Sequence, residues 1–184
     1  QHPASGVGTH SYVHAQYGTI FADFGAATYE WPAMPDTLSE YNEEVAEICF
    51  HAGVAMDMSY SSSGSGASAE SVFYAFTTHF CYSNSAQMLP RHSYPDSQWD
   101  SMVREELDAG RPLYYIGREE SGTGHAFIID GYDDQDHFHV NWGWGGNCDG
   151  YFYFSSLAPG THDFTYSQKA IFDLYPVGQS EYEP

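Results

Sequence analysis

The chain of 184 residues has a length typical of one globular domain, and its hydrophobic content of 42% is far from that of a disordered segment. Only 5 basic residues oppose 25 acidic ones, and the formal net charge of −20 argues against binding to nucleic acid or to an anionic membrane. Because no apolar run approaches the roughly 18 residues that a membrane span requires, we expect a soluble protein.

The first part of the chain predicts loops followed by three helices. Residues 1–35 are rich in glycine, serine and aromatic residues, which favours loops and short extended segments such as 18–24. Residues 36–53 predict a helix that is capped within 36–39 and ends at Gly53. Ser68 follows a Ser/Gly-rich stretch and is expected to cap a second helix, and a third is predicted to end at Gly110.

Residues 111–176 predict antiparallel strands. Five short apolar and aromatic runs are separated by turn residues, and they read PLYYIG, GHAFIIDGY, HFHVNWG, GYFYF and QKAIFDLY. Helices first and antiparallel strands later predict an α+β fold, which we expect to form a single domain over residues 1–184.

Residues 124–146, GHAFIIDGYDDQDHFHVNWGWGG, predict a hairpin with an unusual histidine. With residues 133–136 as the loop, His125 lies opposite Trp144, Trp142 is a diagonal neighbour, and Asn141 lies opposite Ile128. Asn141 is then about 10 Å along the strand from His125, a gap that a bulge at the glycines could shorten. A histidine held between glycines and against indoles suits a general base; the alternative is a partly buried histidine beside tryptophans of the core.

The cysteines and the other histidines indicate neither a disulfide framework nor a metal site. Cys49, Cys81 and Cys148 are an odd number at unrelated spacings. Cys49 and Cys81 are expected in the core, and Cys148 is the only cysteine expected near His125. His137 and His139 could share a metal in principle, but no third ligand follows from the spacing, so we expect them to face solvent.

The histidine hairpin, GHAFIIDGY followed by HVNWGWGGNCDGYFYF, resembles that of streptopain-like cysteine peptidases of the C10 type. The runs VAEICFHAGVAMDMSYSSSGSGAS and QWDSMVREELDAGRPLYYIG are also similar to that family, so the resemblance covers about residues 40–157. It implies a papain-like fold and a secreted bacterial peptidase made as a precursor, with a preference for an apolar side chain next to the scissile residue. It also implies that no metal or organic cofactor is required.

The resemblance assigns roles to individual residues. His125 would be the general base, Trp142 would orient it, and Asn141 matches the papain-type amide position. The implied substrate-binding residues lie on two walls of a cleft and are Gly124, Trp144, Ser63, Gly64, Ser65, Gly66 and Ala67.

The nucleophile that the resemblance requires is not among these residues. The family's cysteine, like the glutamine of its oxyanion hole, precedes the position that matches Gln1, and the opening QHPASG lacks a methionine and a signal sequence. We therefore predict the C-terminal part of an endopeptidase for extended peptide and protein substrates. Its cysteine would come from an N-terminal segment or precursor upstream of Gln1, and this chain alone would be inactive. The alternative is a catalytically inactive peptide- or protein-binding module on the same fold.

Overall fold

In a computed structural model of the chain, residues 2–177 are described and fall into two compact units. Among these residues, the first unit comprises residues 2–84 and 175–177, and the second comprises Ser85–Leu174. None of the helices within residues 2–177 has both the length and the apolar character needed to cross a membrane.

The first unit combines a two-stranded hairpin with two helices. Strands β1 (Thr9–His14) and β2 (Gly18–Asp23) are antiparallel, and helices α1 (Glu43–Ala55) and α2 (Ala69–Thr78) follow them in the chain. The sequence predicts only an extended segment where the structure has a regular hairpin. The buried core of this unit is largely aromatic and aliphatic, and its residues include Phe24, Tyr29, Val54, Ala75 and Phe80.

Helix α1 differs from its prediction at both ends. It begins at Glu43 because the Asn42 side chain accepts a hydrogen bond from the Val45 N–H at 2.9 Å, the bond of an N-terminal cap. Gly53 lies inside the helix and does not end it. A Cβ atom at Gly53 would lie 1.9 Å from the hydroxyl of Tyr60, so this glycine serves packing. The predicted start near residue 36 and the predicted end at Gly53 are therefore wrong.

Helix α2 agrees with the prediction that Ser68 caps it. The Ser68 hydroxyl accepts a hydrogen bond from the Ser71 N–H at 3.0 Å and caps the helix. The Ser/Gly-rich loop is bridged at its base, where Ser59 and Gly66 exchange N–H···O bonds of 2.9 and 3.2 Å.

The second unit is an antiparallel sheet with one helix, α3. The sheet has six strands in the order β3-β8-β4-β5-β6-β7. The elements of this unit in chain order are β3 (Gln87–Pro90), α3 (Asp96–Asp108), β4 (Leu113–Arg118), β5 (Gly124–Tyr132), β6 (Phe138–Asn141), β7 (Gly150–Phe152) and β8 (Tyr166–Phe172). The α+β class, helix α3 and all five predicted strands are confirmed, whereas β3 was not predicted.

The core of the second unit lies where α3 packs on the sheet. Trp99 of α3 is fully buried, and its indole meets the rings of Tyr115 and Phe172 edge-on at centroid distances of 6.1 and 5.1 Å. Val103, one turn further along α3, is also fully buried. This core supports strands β4 and β5 from one side and so fixes the strand that carries His125.

The predicted hairpin forms with one change of register. Ile128 pairs with Asn141 as predicted, but Tyr132 pairs with Phe138 rather than His137. The cause is an irregularity between Ile129 and Gly131, where β5 contains one extra residue. The loop that joins β5 to β6 is consequently one residue longer than predicted.

Candidate active site

His125 lies near the start of β5 and is surrounded by aromatic rings. Its imidazole is partly buried, with ring centroids 4.8 Å from Trp144, 5.2 Å from Phe164, 6.1 Å from Phe127 and 6.3 Å from Trp142. The two tryptophans lie beside the imidazole, as the hairpin pairing predicts. The two phenylalanines were not anticipated.

The imidazole is oriented by a main-chain carbonyl. Nε2 of His125 lies 2.8 Å from the carbonyl oxygen of Trp142. A carbonyl can only accept a hydrogen bond, so the proton is on Nε2. In the neutral ring, Nδ1 therefore carries the lone pair, and the only side-chain hydrogen bond of His125 found within residues 2–177 is the one made by Nε2. The ring is thus held in the tautomer in which Nδ1 can accept a proton.

Trp142 is itself held in place by its side chain and by its backbone N–H. Its indole is fully buried, and its backbone N–H donates a hydrogen bond of 2.9 Å to the Asp149 carboxylate. Asp149 thereby fixes the residue whose carbonyl receives the His125 bond. Asp149 lies within the motif NWGWGGNCDG, but no role for Asp149 is predicted from the sequence.

Asn141 is engaged elsewhere. It is exposed at the end of β6, and its amide oxygen accepts a hydrogen bond of 2.9 Å from the N–H of Gly143. This bond closes the turn that leads to the tryptophans. An orienting role of the Asn141 amide toward His125 stays a prediction without a contact to support it.

Gly117 makes room for the phenylalanine that packs on His125. It pairs with His125 across β4 and β5, and the register of β4 with β8 shifts between Ile116 and Arg118. A Cβ atom at Gly117 would lie 2.2 Å from the carbonyl oxygen of Phe164 and 2.8 Å from its Cβ. The absence of a side chain at Gly117 therefore lets Phe164, which is 3% exposed, approach the imidazole.

The predicted substrate-binding residues belong to both units. Gly124 and Trp144 are in the second unit, next to His125 in sequence and in space respectively. Residues 63–67 are in the first unit, and all of them are exposed. Within this loop the backbone groups of Gly66 are occupied by Ser59.

The cysteines within residues 2–177 do not contact His125, whose partners are aromatic rings and one carbonyl. Cys49 is exposed, so its predicted place in the core is wrong, and Cys81 and Cys148 are partly buried. Cys148 packs at the edge of the second core, with its sulfur 3.8 Å from the position of a Cβ at Gly160.

The histidines of the hairpin form carboxylate pairs. His137 Nδ1 lies 2.9 Å from Asp133, and His139 Nδ1 lies 2.5 Å from Asp130. Among residues 2–177 no group of three or more His, Cys, Asp or Glu side chains is arranged to hold a metal ion.

Comparison with known proteins extends the likeness to the start of the chain. Residues 1–152 match the model of the peptidase C10 family. Streptopain from Streptococcus pyogenes serotype M28 is 33% identical over an alignment of 169 residues, and the match covers 85% of this chain and 42% of streptopain. The thiol protease/hemagglutinin PrtT of Porphyromonas gingivalis is 35% identical over 153 residues, covering 80% of this chain and 17% of PrtT. The chain thus spans less than half of the length of these relatives.

Two solved structures from Prevotella intermedia share the fold. Active wild-type interpain A superposes with a TM-score of 0.83 at 38% identity, covering 94% of this chain and 76% of interpain A. A prointerpain A fragment superposes with a TM-score of 0.77 at 37% identity, covering 99% and 59%. The fold is therefore the papain-like fold of these peptidases, as the resemblance implied. The chain belongs to the peptidase C10 family.

Proposed function

We propose that the protein containing this chain is a cysteine endopeptidase in which His125 is the general base and the nucleophilic cysteine precedes Gln1. The observation that carries the proposal is the 2.8 Å bond from His125 Nε2 to the Trp142 carbonyl, which leaves Nδ1 as the basic nitrogen. Family membership supports the reaction class, and the absence of cysteine from the contacts of His125 within residues 2–177 supports an upstream nucleophile.

The residues of the site suit acyl transfer. The thiol would give its proton to Nδ1 of His125, and the thiolate would attack the peptide carbonyl carbon. As the C–N bond breaks, the imidazolium would return this proton to the leaving amine. Water would then hydrolyse the thioester, with Nδ1 taking one proton from the water and returning it to the sulfur.

The aromatic rings around His125 would stabilise the positive charge that its imidazole carries during this cycle. The imidazolium would lie against the faces of Trp144 and Phe164, at centroid distances of 4.8 and 5.2 Å. Cations are attracted to aromatic faces within about 6 Å of the ring centroid. The Nε2 bond would also become a charge-assisted bond to the Trp142 carbonyl, which strengthens it during the reaction.

The Ser/Gly-rich loop is proposed to bind substrate as an added strand. Residues of an extended segment direct their N–H and C=O groups alternately to its two edges. Because Gly66 uses its groups on Ser59, we expect Ser65 and Ala67 to present theirs on the other edge to an extended peptide. An apolar side chain next to the scissile residue, secretion from a bacterium and synthesis as a precursor are proposed on the resemblance to streptopain.

The test uses the full-length protein. We expect it to hydrolyse a fluorogenic peptide, to lose this activity on thiol alkylation, and to lose it in the variant His125→Ala. The matched control is His137→Ala on the same hairpin, because His137 pairs with Asp133 away from the site and its loss should leave hydrolysis unchanged.

Two results would contradict the proposal. Retained turnover in His125→Ala would remove the base assignment. A full-length protein that binds peptides without cleaving them, or that lacks a cysteine before Gln1, would favour the inactive binding module.

A further inference from the structure

Two connecting segments of the second unit flank His125. Residues 119–123 join β4 to β5, and a single residue separates them from His125. Residues 158–165 lie between β7 and β8 and carry Phe164, whose ring packs on His125 at 5.2 Å. A contact between these two segments therefore helps to fix the position of the His125 imidazole.

The turn before β5 is internally bonded. The N–H of Glu119 donates to the Thr123 carbonyl at 2.8 Å, and the N–H of Gly122 donates to the Glu119 carbonyl at 2.9 Å. The Arg118 guanidinium adds a bond of 2.8 Å to the Gly122 carbonyl. Glu119 therefore projects its side chain from a defined turn rather than from a loose loop.

Backbone hydrogen bonds also hold the second segment, one within it and one to the residue just before it. The N–H of His162 donates to the Pro159 carbonyl at 3.0 Å, and that of Phe164 donates to the Leu157 carbonyl at 2.8 Å. The His162 ring stacks on Phe164 with a centroid distance of 5.5 Å and an interplanar angle of 11°. His162 thus packs against Phe164, and the ring of Phe164 in turn contacts His125.

One side-chain pair joins the two segments. His162 Nδ1 lies 2.8 Å from Oε1 of Glu119, and the other carboxylate oxygen accepts a bond of 3.2 Å from the Ser121 hydroxyl. The hydrogen bond from His162 is the main cause that holds the pKa of the Glu119 carboxyl below its ordinary value. The His162 ring also lies 5.4 Å from that of Trp144, so the pair reaches both aromatic walls of His125.

We propose that Glu119 and His162 form a clasp that positions the general base. By tying residues 158–165 to the turn before β5, the clasp keeps Phe164 and Trp144 against the imidazole and keeps Nε2 on the Trp142 carbonyl. Neither Glu119 nor His162 is hydrogen-bonded to His125, so both are positioning residues. The catalytic part of this inference rests on the proposed function.

The clasp can be tested by its effect on turnover in the full-length protein. We expect Glu119→Ala and His162→Ala each to lower kcat about threefold to tenfold with KM changed less than about twofold, because a misplaced base slows chemistry rather than binding. The double variant should lose no more than either single one, since both remove the same contact. Glu119→Gln retains a side-chain oxygen that can accept the His162 N–H and should restore most of kcat. The matched control is Glu120→Ala, which removes the same charge from an exposed position on the same turn.

A second measurement does not depend on turnover. In protein with ¹⁵N-labelled histidine, the His125 Nε2 proton should give an NMR signal that is protected by its carbonyl bond. We expect this signal to be lost to solvent exchange in Glu119→Ala and retained in Glu120→Ala and Glu119→Gln. Equal signals in Glu119→Ala and Glu120→Ala, or equal kcat values in an active protein, would overturn the clasp. If the unsubstituted protein does not cleave peptides, the proposed function fails, and the NMR comparison still decides the clasp.

Discussion

Gly117→Ala is the substitution that most directly tests how His125 is supported. The new Cβ would lie 2.2 Å from the Phe164 carbonyl oxygen, whereas ordinary contact begins at 3.4 Å, so the two groups must separate by about 1 Å. Main-chain atoms at Phe164 block the new methyl group, and a rotamer change cannot relieve the clash. Overpacking of this kind costs about 1–3 kcal/mol, and we expect the upper half of that range in the free energy of unfolding.

The same displacement should reach the chemistry. Phe164 packs on the His125 ring, and a misplacement of about 1 Å can cost about 10²-fold in rate, so we expect kcat to fall about tenfold to hundredfold. Urea unfolding and fluorogenic peptide hydrolysis by the full-length protein measure the two effects.

Gly131→Ala is the matched control on the neighbouring strand. Its Cβ would lie 3.5 Å from the Cβ of His139, which is an ordinary contact, so stability should change by less than about 0.5 kcal/mol. If Gly117→Ala behaves like Gly131→Ala in both assays, the close approach of Phe164 does not support the position of His125.

Three further predictions concern the two units separately. Glu106 is buried and paired with an arginine, so Glu106→Ala should lower the free energy of unfolding by about 3–5 kcal/mol in urea, whereas the exposed Glu105→Ala should change it little. Burial raises the pKa of Tyr29 to about 12 from 10.0, so its phenol should ionise late in an ultraviolet titration. Stability should therefore fall as pH rises between these values, because the unfolded chain loses this proton first; an unchanged titration in Tyr29→Phe would contradict the assignment. Asp149→Ala should lower kcat of the full-length protein more than it raises KM, because the Trp142 peptide loses its anchor; an effect on KM alone would assign Asp149 to substrate binding.

The elements with strong local patterns could be predicted from the sequence. Strands β4 to β8 follow short apolar runs bounded by turn residues, and these signals are local. The start of α1 could not be predicted because several residues before it are good caps. Asn42 prevails because its amide nitrogen also donates to the Ala33 carbonyl at 3.0 Å, a contact that exists only in the folded unit.

The hairpin also contains a feature that depends on contacts of the folded protein and that the sequence pattern does not predict. The pairing of Ile128 with Asn141 follows from counting back from the loop, but the extra residue near the turn does not. That region is stabilised by side chains, since Asp133 accepts the N–H groups of Gln135 and His137, each at 2.9 Å. Alternation of apolar residues contains no information about such bonds.

The candidate site was predictable where one hairpin supplies it and unpredictable where the sheet brings segments together. His125, Trp142 and Trp144 come from one motif, whereas Phe164 reaches His125 only because Gly117 permits the approach. A contact of this kind depends on a missing Cβ in a different strand, and no periodicity or spacing in the sequence indicates it.

The hydrogen bond that joins His125 to Trp142 is made to the backbone of Trp142 and not to its side chain. The resemblance implied that Trp142 orients the base, and the structure shows the bond on the Trp142 carbonyl, which every residue type possesses. The indole acts on this bond only through packing, since it is fully buried beside Phe127 at 4.5 Å. The position of the carbonyl therefore depends on whatever fixes the peptide, namely Asp149 on its N–H and the buried indole on its side chain. Orientation of His125 is thus a property of the whole turn after β6.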